Sequence, residues 1–128
     1  MALKITLKPR ERLILGGAVL RNGNSAAHLL VQNEVPILRE RDILSEREAD
    51  SPCRRIYFAI QLMYVDPQNS AEHHKLFWML LDDVLGAAPS TARFTAQISS
   101  LVVGQKYYQA LRVARQLIDY EQELLGPK

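Results

Sequence analysis

The spacing of hydrophobic residues changes character near residue 45. Leu3, Ile5 and Leu7 alternate with Lys4, Thr6 and Lys8, a period of two that sets three apolar side chains on one face of an extended strand. Arg12–Leu15, Ala18–Arg21, 27–32 and 35–38 are further short strand candidates, separated by Pro9, Gly16-Gly17 and Asn33-Glu34. Asn22-Gly23 predicts a type I′ hairpin turn, because both residues tolerate the positive φ it requires. Gly16-Gly17 reads as a turn or bulge between strands. Together these segments predict one small antiparallel sheet.

Past residue 50 the pattern becomes helical. Ser51 supplies a cap and Pro52 a first helical position, leading through Arg54-Arg55 into an apolar run that ends near Asp66-Pro67. That run is rich in β-branched and aromatic residues, so a buried strand is the alternative. Asn69 and Glu72 have capping-box spacing for a second helix ending before Gly86, and a third begins near Ser90. The last helix spans 105–125, with Tyr107, Leu111, Ala114, Ile118 and Leu125 on its apolar stripe, and Gly126-Pro127 stops it. The fold class is therefore α+β, with an N-terminal small antiparallel β-sheet and a C-terminal bundle of three or four helices. Residues 1–45 form the β portion and 46–128 the helical portion, expected to pack as one compact unit.

On the second helix, Phe77, Leu80, Leu81 and Val84 share one stripe, whereas Trp78 and Met79 fall outside it beside Lys75 and Asp82. These two side chains either pack elsewhere within the chain or stand outward as a protein contact.

With 128 residues and 48% hydrophobic content the chain suits a single domain. Its longest nearly apolar run, 56–65, is half of the ~20 residues a membrane span needs. No membrane association, secretion signal or disulfide is expected, Cys53 being the lone cysteine, and the cytoplasm is the natural compartment. The net charge of +2 names no partner. Its distribution says more: Lys4, Lys8, Arg10, Arg12 and Arg21 stand against Glu11 alone in the first thirty residues. An anionic partner or a merely solvated surface accounts for that asymmetry.

Catalytic machinery is not visible. His73-His74 and Asp82-Asp83 are adjacent pairs, which point about 100° apart on a helix, whereas two metal ligands on one face need i, i+4 spacing. Cys53 precedes two arginines but has no histidine suggested beside it, and there is no GxSxG, Walker loop or GxGxxG. The chain is expected not to be an enzyme and to need no cofactor or metal. The segment 37–43 alternates charge between apolar anchors, and its arginines can pair in planar, bidentate fashion with phosphate or a guanine edge.

Five blocks, taken in order, resemble the FlbT family of regulators of bacterial flagellum biosynthesis. They are Leu7-Lys8-Pro9 leading to Gly17-Ala18-Val19; the Asn22-Gly23 turn; Leu38-Arg39-Glu40-Arg41-Asp42-Ile43; Arg55-Ile56-Tyr57-Phe58 with Gln61-Leu62-Met63-Tyr64; and Tyr107-Tyr108-Gln109-Ala110-Leu111 through Asp119-Tyr120-Glu121. The resemblance covers essentially the whole chain. It implies a cytoplasmic post-transcriptional regulator that associates with the 5′ untranslated region of flagellin mRNA and represses its translation or shortens its life. Family members differ in whether they repress or promote flagellin synthesis.

A fainter likeness concerns the N-terminal half. Segments 3–8, 12–16 and 35–40 are similar in order and spacing to the first, second and last strands of CsrA-type translational regulators, which form intertwined β dimers on GGA-containing leaders. In that family the outer strands make the RNA surface, and its critical last-strand arginine would correspond to Arg39. The lysines of the first strand, the shorter middle strands and the appended helices depart from the pattern.

Two functional expectations follow. In the first, Lys4, Lys8, Arg10, Arg12 and Arg39 bind the flagellin mRNA leader, with Arg21, Arg41, Arg54 and Arg55 as outer phosphate contacts. In the second, Trp78 and Met79 dock flagellin or another flagellar regulator and the effect on RNA is indirect. A homodimer closing the open edges of the β portion is expected, the alternative being a monomer whose edges are protected by Pro9, Pro36 and charged strand ends.

Overall fold

The structure, a computed structural model, describes residues 3–126. The chain divides into two compact units, Met1–Ile43 and Leu44–Lys128.

The first unit holds five strands: β1 (Leu3–Leu7), β2 (Arg12–Leu15), β3 (Ala18–Arg21), β4 (Ala27–Val31) and β5 (Ile37–Arg39). They form two antiparallel sheets rather than the single one expected. One pairs β1 with β4, Ile5 opposite Leu29; the other has the order β3-β2-β5. Gly16-Gly17 makes the hairpin between β2 and β3, with Leu15 opposite Ala18 and Gly16 at φ 62°. Asn22-Gly23 makes no hairpin turn, because other bonds claim it. The Asn22 side-chain amide donates to the carbonyls of Lys8 (2.8 Å) and Ser25 (2.9 Å), and Gly23 O accepts from Arg10 N (2.9 Å). The chain leaving β3 is thus tied to the β1–β2 turn, and β4 pairs with β1.

Ile5, Leu7 and Leu13 form one buried cluster of this unit, with Leu15, Leu29, Val31 and Ile37 packed around them, and Ile14 and Leu38 are buried as well. The alternation in β1 explains why: Ile5 and Leu7 share an inward face while Lys4 and Thr6 are exposed. All four residues of β3 are exposed, Val19 at 69%.

The second unit holds α1 (Pro52–Val65), α2 (Ser70–Ala87), α3 (Ala92–Val103) and α4 (Tyr107–Leu125). The run after Ser51 is a helix, not a strand: Ser51 Oγ accepts from Arg54 N at 3.2 Å and Pro52 occupies the first turn. Its β-branched and aromatic residues are accommodated by burial, since Ile56, Tyr57, Ile60 and Met63 pack in the core between α2 and α4. The expected capping box at Asn69 is absent. Asn69 donates instead to Asp66 Oδ2 (2.9 Å), in a short 3₁₀ turn that leads into α2. α2 continues through Gly86, and α3 starts after a second 3₁₀ turn at Pro89–Thr91. α4 begins two residues later than expected because Gln105 sits at φ 59°, outside any helix. Its buried face is Ala110, Leu111, Val113, Ala114, Leu117 and Glu121, so Leu125, expected on the stripe, is 77% exposed. Among the described residues no helix is long and apolar enough to cross a membrane.

Candidate functional site

The 8–11 turn links the two sheets of the strand unit. Lys8 follows β1, Pro9 and Arg10 form the bend, and Glu11 donates its N–H to Lys8 O at 3.1 Å. The Glu11 carboxylate then accepts from Lys8 N (2.8 Å) and from Arg39 Nη2 (3.2 Å). Arg39 Nη2 also donates to Thr6 O at 2.7 Å, so a residue of one sheet holds the backbone of the other. Arg39 Nε is buried without a hydrogen-bond partner among the described residues, an uncompensated cost at this position.

Lys8, Pro9, Arg10, Glu11, Arg21, Arg39, Glu40 and Arg41 line one cleft of about 550 Å³. Five of the nine expected RNA-contact residues therefore converge, against two carboxylates. Both carboxylates are engaged: Glu11 as described, and Glu40 Oε1 with Arg12 N (3.0 Å) and Arg12 Nε (3.3 Å). The Lys8 backbone N–H, and after it the Arg39 guanidinium, hold the Glu11 carboxyl below its usual range. A cleft so charged attracts and orients anions. No Phe, Trp or Tyr occurs before Tyr57 and His28 is not among the residues that line the cleft, so the cleft offers no aromatic platform for stacking a base.

The remaining expected contacts lie apart from the cleft wall. Lys4 is exposed on β1 opposite Leu30, and Arg12 is tied to Glu40. Arg54 and Arg55 belong to the helical unit, Arg54 paired with Asp50 at 3.3 Å and Arg55 exposed. Glu11, Glu40 and Asn22 organise the cleft and are not among the site residues expected from the sequence. Glu11 and Glu40 carry a weak local signal, each flanked by arginines, and Asn22 carries a turn signal that was read for the wrong turn.

Residues 3–125 match the family model described as flagellar protein FlbT. The chain belongs to the FlbT family. It is 43% identical over 127 residues to a probable flagellum biosynthesis repressor protein FlbT 1 of Bradyrhizobium diazoefficiens, covering 98% of this chain and 86% of that one. The flagellum biosynthesis repressor protein FlbT of Caulobacter vibrioides is 38% identical over 128 residues, with 98% and 91% covered. A probable flagellum biosynthesis repressor of Rhodopseudomonas palustris is 35% identical over 126 residues, with 98% and 99% covered. No solved structure matches.

In this FlbT-family chain the other candidates fall in the helical unit. Trp78 and Met79 are 37% and 54% exposed on α2, the Trp78 ring edge-on to Phe77 at 4.9 Å between centroids. Cys53 is buried, and burial, followed by the neighbouring Glu121 carboxylate, pushes its thiol up to about 12, far from a reactive thiolate. His73 and His74 part company: His73 Nε2 meets Asp66 Oδ2 at 3.0 Å and His74 Nε2 meets Tyr107 Oη at 3.1 Å. Among the described residues no three His, Cys, Asp or Glu side chains are grouped to hold a metal ion.

Proposed function

We propose that this chain represses flagellum biosynthesis after transcription, in the cytoplasm, by gripping the 5′ untranslated leader of flagellin mRNA in the basic cleft of its strand unit. The repressor role is supported by the names its relatives carry. The observation that carries the RNA reading is the convergence of Lys8, Arg10, Arg21, Arg39 and Arg41 on one cleft. Single-stranded RNA releases about 0.7 counterions per neutralised phosphate, so about four contacts give a log-log salt slope near −2.8 and roughly fiftyfold weaker binding between 50 and 200 mM salt. Fluorescence anisotropy with a labelled leader across that range tests the reading. Absence of binding at the lowest salt, or Lys8→Ala with Arg41→Ala binding as tightly as wild type, overturns it.

A second reading is favoured by the exposure of Trp78 and Met79: α2 docks flagellin or another flagellar regulator, and translation is altered indirectly. Pull-down of flagellin with Trp78→Ala decides it, unchanged recovery counting against docking.

We infer also that the strand unit pairs with a second copy. Its edge strand β3 is exposed along its whole length, Val19 and Leu20 included. Light scattering at micromolar concentration gives twice 14.5 kDa on this account and 14.5 kDa if the chain is a monomer.

A further inference from the structure

We infer that Arg10 contacts phosphate in the cleft and is presented there by a turn that holds its backbone where arginine is disfavoured. This rests on the RNA reading above and narrows the ligand to the phosphodiester backbone of single-stranded RNA, read without regard to base. Pro9 takes the second place of the 8–11 turn and Arg10 the third, at φ 66°. That is the type II pattern, whose third residue is ordinarily Gly or Asn because a Cβ crowds the neighbouring backbone at positive φ.

The conformation is pinned on both sides. Arg10 N donates to Gly23 O at 2.9 Å, and Arg10 O accepts from Arg21 Nη1 at 3.0 Å. Lys8 O accepts from Asn22 Nδ2, and Asn22 N donates to Glu11 O, both at 2.8 Å. A disfavoured backbone persists where its surroundings over-determine it, and such positions cluster at functional sites. The side chain those bonds present is itself uncommitted. The Arg10 guanidinium is exposed, lines the cleft and makes no hydrogen bond or ion pair among the described residues. Arg21, by contrast, is engaged with Arg10 O, and Arg39 with Thr6 and Glu11. Arg10 thus keeps all its side-chain donors for an acceptor that arrives from outside, and a planar guanidinium matches two phosphate oxygens at once. The unit holds no Phe, Trp or Tyr and its exposed His28 ring is not among the residues that line the cleft, so the cleft offers a base no aromatic ring to stack on, which leaves the backbone as the feature to hold.

The experiment measures two properties of Arg10→Gly in the full chain: thermal melting, and anisotropy with a labelled flagellin leader and a base-scrambled RNA of equal length. Removing the strained side chain raises Tm by a few degrees, and Arg10→Asn, which also tolerates positive φ, moves it the same way. Both RNAs bind the glycine variant about tenfold more weakly at about 100 mM salt, and the salt slope shrinks by about 0.7. Arg10→Lys keeps the wild-type Tm and binds with an affinity between those of wild type and the glycine variant, because its ammonium keeps the charge and loses the bidentate geometry. A raised Tm with undiminished binding overturns the phosphate contact, and a Tm that falls or stays put in both variants overturns the strain. Weakening on the leader alone overturns recognition of the backbone. If wild type binds and Lys8→Ala weakens it while Arg10→Gly does not, this inference alone fails. If wild type binds neither RNA at low salt, the RNA reading fails with it.

Discussion

In the strand unit seven basic residues sit within 43 that hold no Phe, Trp or Tyr, whereas all nine of those residues belong to the helical unit, where acidic residues outnumber basic ones by one. The strand unit buries Ile5, Leu7, Leu13, Ile14 and Leu38, all aliphatic. The helical unit buries Tyr57, Phe77 and a continuous set of aliphatic side chains along α1, α3 and α4. Stability and charge display are thus divided between the two.

The largest expected effect breaks or upholds that contrast in the core. Phe77, with 0% exposure, is fully enclosed, so Phe77→Ala destabilises by about 3–5 kcal/mol. Leu13→Ala, in the smaller cluster, costs about 2–3 kcal/mol, because half-buried neighbours can collapse toward the gap. Urea denaturation of both variants measures the difference, and a costlier Leu13→Ala would reverse the assignment of roles.

Next in size is the carboxylate that α4 lends to α1. Glu121 accepts from Ser51 Oγ at 2.6 Å and from Cys53 N at 3.1 Å, satisfying donors at the start of α1. Glu121→Ala leaves them unpaired and costs about 1–3 kcal/mol. It also lowers the Cys53 thiol from about 12 toward the ordinary 9.0, though burial keeps it above that. Thiol titration with a disulfide reagent at about pH 8 shows a silent Cys53 in wild type and a faster one in the variant. Equal reactivity in both would contradict the coupling.

Much of this architecture was legible from spacing. β2 and β3 stand where the short apolar runs placed them, and Ser51-Pro52 starts α1 as cap chemistry requires. The failures share a cause, which is that local signals were outbid by partners distant in the chain. Asn22-Gly23 carries every mark of a hairpin turn, yet its amide is taken by Lys8 and Ser25 and its carbonyl by Arg10. Asn69 has capping-box spacing to Glu72, yet its side chain serves Asp66. The cleft was half legible. Composition pointed to the basic N-terminal region, and the gathering of residues 8–11, 21 and 39–41 depends on β1 and β5 lying in separate sheets joined by Arg39, which no spacing reveals.

The smallest effect is in pH dependence. Glu11 is held below its usual 4.5 by the Lys8 N–H first and Arg39 next. A depressed carboxyl contributes stability that is present above its unfolded value and lost as pH falls through the folded one. Glu11→Gln therefore flattens the acid limb of stability below about pH 4.5 and leaves neutral pH nearly unchanged. An unaltered acid limb would mean that the Glu11–Arg39 contact contributes nothing in solution.

Hydrogen–deuterium exchange of the full chain, with and without a flagellin leader RNA, tests most directly whether the strand unit is the proposed RNA surface. Slowed exchange is expected at residues 8–11, 21–23 and 39–42, with α2 unchanged around Trp78 and Met79. Protection confined to α2, or none anywhere at a salt concentration where the RNA is bound, would contradict it.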